Sequence, residues 1–283
     1  MSVSVITVSY HTGPVLLDML RATLAQPEVA EIVVVDNGNP VPARRDFAAL
    51  AAREPRIRLL QGHGNSGFAR ACDYGAALSR GRHLLFLNPD AVPEAGAVRA
   101  LLEAGENRAE PWIAGGRLVD GAGAEQAGSR RRALTLATLF GTVLRLPGLP
   151  SINRYTEPVP DAPIPVDTVS GACLMMSRVG YRAAGRFDPG YFLHVEDIAL
   201  CRAAREAGGD VVFVPGARIR HEGGSSDSAG VSVERHKLQG FLRYFWTGGA
   251  LSRLGIVLVA PLLTAALWVR ARGRRRPGPA PRG

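Results

Sequence analysis

Lysine is almost missing from this chain: Lys237 is the only one among 34 basic residues, so the pI near 10.3 is the work of arginine. Such basicity suggests nucleic acid, but its location argues otherwise. Six arginines (Arg270, Arg272, Arg274, Arg275, Arg276, Arg282) fall in residues 270–283, which hold no acid, and without them the formal net charge drops from +9 to +3. No aromatic platform accompanies the run, which speaks against a nucleic-acid partner. Cysteine is scarce as well. Cys72, Cys173 and Cys201 are odd in number, far apart and without a CxxC pair, which argues against a disulfide framework or a zinc site and suits a reducing cytosol. The start, MSVSVITVSY, lacks a basic n-region and a long apolar run, so it reads as a first strand, and an intracellular chain is expected. No apolar run reaches membrane-spanning length either. The 16 residues from Leu254 to Val269 cover about 24 Å as a helix against ~30 Å of hydrocarbon, and Pro261 interrupts them.

What is present, 283 residues of which 46% are hydrophobic, supports a sizeable core in one large domain or two small ones. The central stretch is Leu84 to Ala91, LLFLNPDA. Its four apolar residues read as a strand buried on both faces, and Asn88, Pro89 and Asp90 place oxygen ligands just past its C-terminal end, where an open α/β sheet binds its ligand. Proline has no N–H and a fixed φ, so the strand stops there and Asp90 projects from a stiff turn. Such a carboxylate suits Mg²⁺ or Mn²⁺ shared with a substrate diphosphate.

The stretch before it alternates strand and helix, the mark of a parallel α/β sheet. Val3 to Val8, Glu31 to Val35 and Ile57 to Leu60 read as strands, and Val15 to Leu24 has helical spacing. Asp36, Asn37 and Gly38 form a turn able to bind a ribose or base edge, or simply an Asx-turn. Gly62, Gly64 and Gly67 spell GxGxxG, which keeps an NAD(P)-dependent oxidoreductase open. That fingerprint normally lies in the first βα turn, whereas here two units precede it, and the amides of Asn65 to Phe68 at a helix start suit any anion.

A second cluster follows residues 121–165, which contain Arg130, Arg131 and Arg132 beside an apolar stretch that reads as an interfacial or a buried helix. Val169 to Met176, VSGACLMM, reads as one buried strand whose Gly171 allows close approach of a ligand or backbone. Glu196 and Asp197 open a helix running to about Ala207, with Asp197 an N-cap by the simplest reading. Val211 to Val214 is a strand, and His221 lies a few residues beyond it.

In order and spacing, a first strand ending SY, then VVVDNG, GNSGFARACDYG and LLFLNPDA resemble the N-terminal half of the family 2 inverting glycosyltransferases, closest to the bacterial branch that includes the rhamnosyltransferases. Gly171 and Ala172, Gly185 to Asp188, Phe192 and Leu193, Glu196 and Asp197, and His221 continue the resemblance, which covers about residues 3–224. It implies a GT-A fold: a Rossmann-like nucleotide-binding half (residues 1–110) merged with an acceptor-binding half (111–240) around one mostly parallel sheet. It places Tyr10 and Asp36 around base and ribose and Asn65 and Gly67 in the donor pocket. Asn88 and Asp90 correspond to a DxD-like motif, with Gly171 and Ala172 on the acceptor side. Asp197 is the implied base with Glu196 as the fallback, and Asp90 with His221 the ligands of Mg²⁺ or Mn²⁺. Two positions depart from the family pattern: Ala199 replaces an acid, and Asp73 stands where Asn is frequent.

The expected activity is transfer from a nucleotide-diphosphate sugar, dTDP-rhamnose at the level of resemblance, to a saccharide or lipid-linked acceptor in cell-envelope polysaccharide synthesis. Residues 241–283 read as an apolar and basic tail resting peripherally on an anionic membrane surface at its cytoplasmic face, or else as a core helix with a solvated end. An inactive membrane-associated scaffold is the non-enzyme alternative.

Overall fold

The structure, a computed structural model, describes residues 2–144, 148–221 and 230–273. Strand β1 (Val3–Ser9), helix α1 (Val15–Leu24), β2 (Val29–Asp36), α2 (Val41–Arg53), β3 (Ile57–Leu60), α3 (Phe68–Leu78) and β4 (His83–Leu87) alternate as the sequence predicts. They form a parallel half-sheet in the order β3-β2-β1-β4. β1 is rich in β-branched residues and buried along its whole length, as a strand covered on both faces must be. The period of two sends Ile6, Val33, Val35 and Phe86 to one face and Val5, Ile32, Val34 and Leu85 to the other.

The chain continues through β5 (Ala91–Pro93), α4 (Ala97–Glu106), β6 (Trp112–Val119), β7 (Arg130–Arg131), α5 (Leu136–Val143), β8 (Ile164–Pro165), β9 (Thr168–Val169), β10 (Cys173–Ser177), α6 (Arg178–Ala183), α7 (Glu196–Glu206), β11 (Asp210–His221), α8 (Gly230–Trp246) and α9 (Ala250–Gly273). The same sheet extends as β4-β10-β6-β11-β5, nine strands among the described residues with β8 also on β11. β10 runs antiparallel to β4 and β6, β5 and β8 run antiparallel to β11, and the other strands are parallel. Because β1 lies between β2 and β4, the topological switch point falls at the C-terminal ends of β1 and β4.

Two expectations need correction and one open alternative closes. VSGACLMM is not one strand: β9 pairs with β7 in a small separate sheet, the chain turns through Ser170 to Ala172, and β10 joins the main sheet. The three arginines do not prepare a membrane helix. Arg130 is buried against Glu125 at 2.9 Å, Arg131 pairs with Asp197 and Arg132 with Glu157, while α5 buries Leu139 and Val143 in the core. Pro261 does not break the tail, since α9 runs through it.

Among the described residues no helix is long and apolar enough to cross a membrane. Arg274, Arg275, Arg276 and Arg282 lie outside the described residues, as do the side chains of Arg270 and Arg272. α9 is divided between two environments. Ile256 and Leu263, two turns apart, are buried in the core, while Leu251, Leu254, Val257, Leu258 and Leu262 are exposed. Fully burying one such side chain is worth about 1.5–3 kcal/mol, and a domain has only about 5–15 kcal/mol to lose. A chain ending at Phe245 is therefore expected to lose several kcal/mol and unfold at lower temperature; an unchanged calorimetric Tm would show that α9 adds nothing to the core.

Candidate active site

The loops at the C-terminal ends of β1, β2 and β3 are tied to one another. Asp36 takes the Asx-turn form: its Oδ1 accepts the Gly38 and Asn39 backbone N–H and the Asn39 side-chain amide at 2.8–3.1 Å. The Tyr10 ring packs on Gly38 and remains 38% exposed at the loop surface. Asn37 donates to Asn65 Oδ1 at 2.9 Å and accepts from the Ser66 N–H at 3.0 Å. Gly67 has φ +83°, and a Cβ there would lie 2.7 Å from the Phe192 carbonyl oxygen, which itself accepts the Phe68 N–H at 2.7 Å. Only glycine fits such an approach, and it joins the glycine-rich loop to the segment before α7. This GxGxxG follows β3, the edge strand, not a strand at the switch point where a dinucleotide would bind.

Asn88 to Ala91 closes as a β-turn, with the Ala91 N–H on the Asn88 carbonyl at 3.1 Å and Pro89 in the second position. Asp90 is only 4% exposed, so the turn is an inner wall of the site. His221 is the last residue of β11, paired in register with Ala91, and its Nε2 lies 3.4 Å from Asp90 Oδ1. Gln126 settles how the imidazole is held. Its amide donates to the His221 carbonyl at 2.5 Å, so its oxygen faces His221 Nδ1 at 2.8 Å, and that nitrogen carries the hydrogen. Nε2 is thereby turned toward the Asp90 carboxylate, a nitrogen and oxygen donor pair of the kind that can hold a divalent cation. Among the described residues no group of three or more His, Cys, Asp or Glu gathers as a complete protein cage. The pair fits Mg²⁺ or Mn²⁺ whose remaining positions are filled by water and substrate phosphate.

The acid pair sits at the start of α7, preceded by Val195 in the left-handed region at φ +73°. Val195 is the N-cap, so Asp197 does not cap the helix. Its Oδ2 accepts the Gly171 N–H at 2.9 Å and Arg131 at 2.5 Å, and its Oδ1 accepts the Ile198 N–H at 2.8 Å. Glu196 Oε2 is buried with no hydrogen-bond partner among the described residues. The two carboxyls are thereby driven apart. Burial first, then the neighbouring Asp197 charge, pushes Glu196 well above the usual carboxylate range. Burial alone would raise Asp197 too, but the Arg131 charge and the Gly171 N–H hold it below that range. Since its folded value is depressed, Asp197 stabilises the fold at neutral pH, and this contribution is lost as the pH falls through the depressed value.

One backbone corner joins these parts. Gly171 donates to Asp197, and the carbonyl of the following residue, Ala172, accepts the Asn88 N–H at 2.9 Å, so the acid pair and the Asn88 turn are tied to consecutive residues. A Cβ on Gly171 would stand 3.2 Å from Asp197 Cβ, so glycine permits the approach. Beside the acids lies a cavity of about 300 Å³, with Arg131, His194 and Lys237 among its polar lining. Arg131 and Gln126 are site residues that sequence reasoning missed. Asp73, the unusual residue, lies 3.7 Å from Arg186 and accepts from the Tyr181 hydroxyl at 3.4 Å.

Arg131→Gln is expected to move the acidic limb of the pH–rate profile upward, because the guanidinium charge that depresses the Asp197 carboxylate is lost. A limb that stays in place would remove Asp197 as the titrating group.

A Rossmann-like half with its switch point between β1 and β4, merged through one sheet with a half that carries a buried acid pair, is the GT-A glycosyltransferase layout. The chain belongs to Glycosyl transferase family 2, whose sequence profile matches residues 4–179; that of Glycosyltransferase like family 2 matches residues 156–238. It is thus a glycosyltransferase. It is 27% identical over 257 residues to the N-acetylglucosaminyl-diphospho-decaprenol L-rhamnosyltransferase of Mycobacterium tuberculosis, found in strains CDC 1551 / Oshkosh and ATCC 25618 / H37Rv, covering 82% of this chain and 81% of the relative. The crystal structure of GalNAc-T7 with UDP, GalNAc and Mn2+ superposes with a TM-score of 0.59 at 17% identity, over 78% of this chain and 43% of that one, a likeness of fold.

Proposed function

We propose that the chain is a metal-dependent inverting glycosyltransferase that moves a sugar from a nucleotide-diphosphate donor to a hydroxyl of a saccharide or lipid-linked acceptor in cell-envelope polysaccharide synthesis. dTDP-rhamnose is the first donor to test, on the strength of the rhamnosyltransferase relative. The observation that carries the reading is the corner at Gly171 and Ala172, which ties the acid pair to the turn bearing Asp90.

Residues 1–110 supply the donor side, with Tyr10, Asp36, Asn65 and Gly67 in loops at the strand ends, and residues 111–240 supply the acceptor side. An acceptor hydroxyl ionises far above neutral pH, so a carboxylate must take its proton as the new bond forms. Glu196 keeps its own proton near neutrality and is not available, whereas Asp197 is ionised. Arg131 holds Asp197 charged at some cost in basicity, and the amides of Gly171 and Ile198 fix its two oxygens. The displacement is single, with inversion and no covalent intermediate. Asp90 and His221 would hold Mg²⁺ or Mn²⁺, which supplies positive charge opposite the nucleoside diphosphate as it leaves.

The exposed apolar side of α9, followed in sequence by the arginine run, supports peripheral attachment to an anionic membrane at its cytoplasmic face. Hydrolysis or transfer assayed across nucleotide sugars, with Mn²⁺, Mg²⁺ or EDTA, tests the reading. Turnover of no nucleotide sugar would sink it, and quenching of NADH fluorescence on mixing would favour the oxidoreductase instead.

A further inference from the structure

The two residues ahead of the acid pair, His194 and Val195, both lie in the left-handed region, at φ +69° and +73°. For a β-branched residue such a backbone is an outlier, and it persists only where the surroundings enforce it. We propose that α8 is a strap that enforces it, and that Arg243, through its ion pair with Asp188, is a positioning residue for Asp197. The role given to Asp197 rests on the glycosyltransfer reading; the strap itself does not.

The sequence builds the strap on one face of α8. His236, Gly240 and Arg243 are spaced i, i+4, i+7, so the helical period brings them into a single stripe. Each meets the segment of residues 188–195 at a different point. His236 stacks on the Phe192 ring, with centroids 4.6 Å apart and planes inclined by 23°. Gly240 lies against the strained pair itself: a Cβ there would stand 2.8 Å from Val195 Cγ2 and 2.9 Å from the His194 carbonyl oxygen. Only a residue without a side chain lets the helix come so close.

Arg243 fixes where the helix sits along the segment. Its Nε and Nη2 donate to the two Asp188 carboxylate oxygens, each at 2.8 Å, which is the bidentate geometry that holds direction as well as distance. Asp188 Oδ1 also accepts the Gly190 N–H at 2.8 Å, and the guanidinium lies 5.5 Å from the centroid of the Tyr191 ring, so the ion pair sets the turn that leads into Phe192. Both partners are partly exposed, and an ion pair so placed adds little to stability. Its removal therefore reports position and not unfolding.

The chain is held on the far side of the acids as well. Arg202 of α7 donates to the Tyr244 carbonyl at 2.9 Å and to the Thr247 hydroxyl at 2.8 Å, so α8 and the residue just after it grip the polypeptide both before and after Glu196 and Asp197. The consequence falls on the base. Released from α8, Val195 relaxes to an ordinary φ, the first turn of α7 swings, and the Asp197 carboxylate leaves the Gly171 N–H that it accepts at 2.9 Å.

The test uses the full chain with Arg243→Gln, Asp188→Asn and the double variant, each assayed well below its own melting temperature so that only folded protein is compared. Each single variant is expected to cut kcat for nucleotide-sugar turnover about tenfold or more while donor KM stays within about twofold, because a small displacement of a reacting group costs rate and not donor affinity. The double variant should lose no more than the worse single one, since both residues act through one contact. Hydrogen–deuterium exchange gives a readout that needs no activity: the amides from Leu193 to Leu200 should exchange faster in all three variants while β1 and β2 keep their protection. Unchanged exchange at those amides would overturn the strap. Faster exchange with unchanged kcat would leave α8 a structural support only and overturn the positioning role, and losses that multiply in the double variant would show Arg243 and Asp188 acting apart and overturn the pair. If the unaltered protein turns over no nucleotide sugar, the glycosyltransfer reading fails by itself, and the exchange measurement alone decides the strap.

Discussion

Asp197→Asn is expected to lower kcat by roughly 10²–10⁴-fold while donor KM stays within a few-fold, the range over which a positioned general base contributes. The amide keeps the shape of the side chain, and its oxygen can still accept the Gly171 N–H that the carboxylate accepts now at 2.9 Å. What it cannot do is take a proton. The change also leaves Arg131 without its anionic partner in a mostly buried position, so thermal unfolding of the variant has to accompany the kinetics. Glu196→Gln is the comparison that makes the result decisive. Among the described residues Glu196 Oε2 has no partner to lose, and burial pushes the group toward its protonated form, so this variant should retain most of its activity. An active Asp197→Asn beside a dead Glu196→Gln would shift the base by one residue.

Asp90→Ala should remove at least nine-tenths of metal-dependent turnover, and tenfold corresponds to about 1.4 kcal/mol of transition-state stabilisation. Asp90 is 4% exposed, so alanine leaves a small polar gap against His221; Asp90→Asn, which fills that gap, should be nearly as inactive. Calorimetric titration of Mn²⁺ in the presence of nucleoside diphosphate provides the second measurement, in which both variants should weaken binding. Retention of more than about a tenth of the activity by both would exclude Asp90 as a principal ligand.

Much of this was legible in the sequence because it rests on local patterns. Val15 to Leu24 is helical and Ile57 to Leu60 is a strand over the expected residues, since periodicity and local apolar content act over a few neighbours. The end of β4 at Asn88-Pro89-Asp90 follows from proline chemistry alone. The residues that complete the site were not legible. Arg131 meets Asp197 across 66 positions and Gln126 meets His221 across 95, and no motif marks either. Arg131 also stands in a triplet that reads as a solvated or membrane-facing patch until Glu125, Asp197 and Glu157 come opposite it. Apolarity was equally silent about the break in VSGACLMM. A hydrophobic run reports burial, and both β9 and β10 are buried, but it does not report that the chain leaves one sheet for another. At Asp36 the sequence left two uses of the carboxylate open, and its Oδ1 is engaged by the turn.

The corner at Gly171 and Ala172 bears on how such an enzyme changes over time. Two main-chain groups on consecutive residues, an N–H bonded to Asp197 and a carbonyl bonded to the Asn88 amide, act as a gauge between the proposed base and the proposed cation site. Backbone atoms are common to every residue type, so the gauge depends on side-chain identity at Gly171, where bulk would press on Asp197, and hardly at all at Ala172. The cavity walls, by contrast, are ordinary side chains such as Leu134 and Ile152. Substitutions in those walls can alter which acceptor is admitted while the reacting groups keep their separation, so specificity and chemistry are inherited through different parts of the molecule.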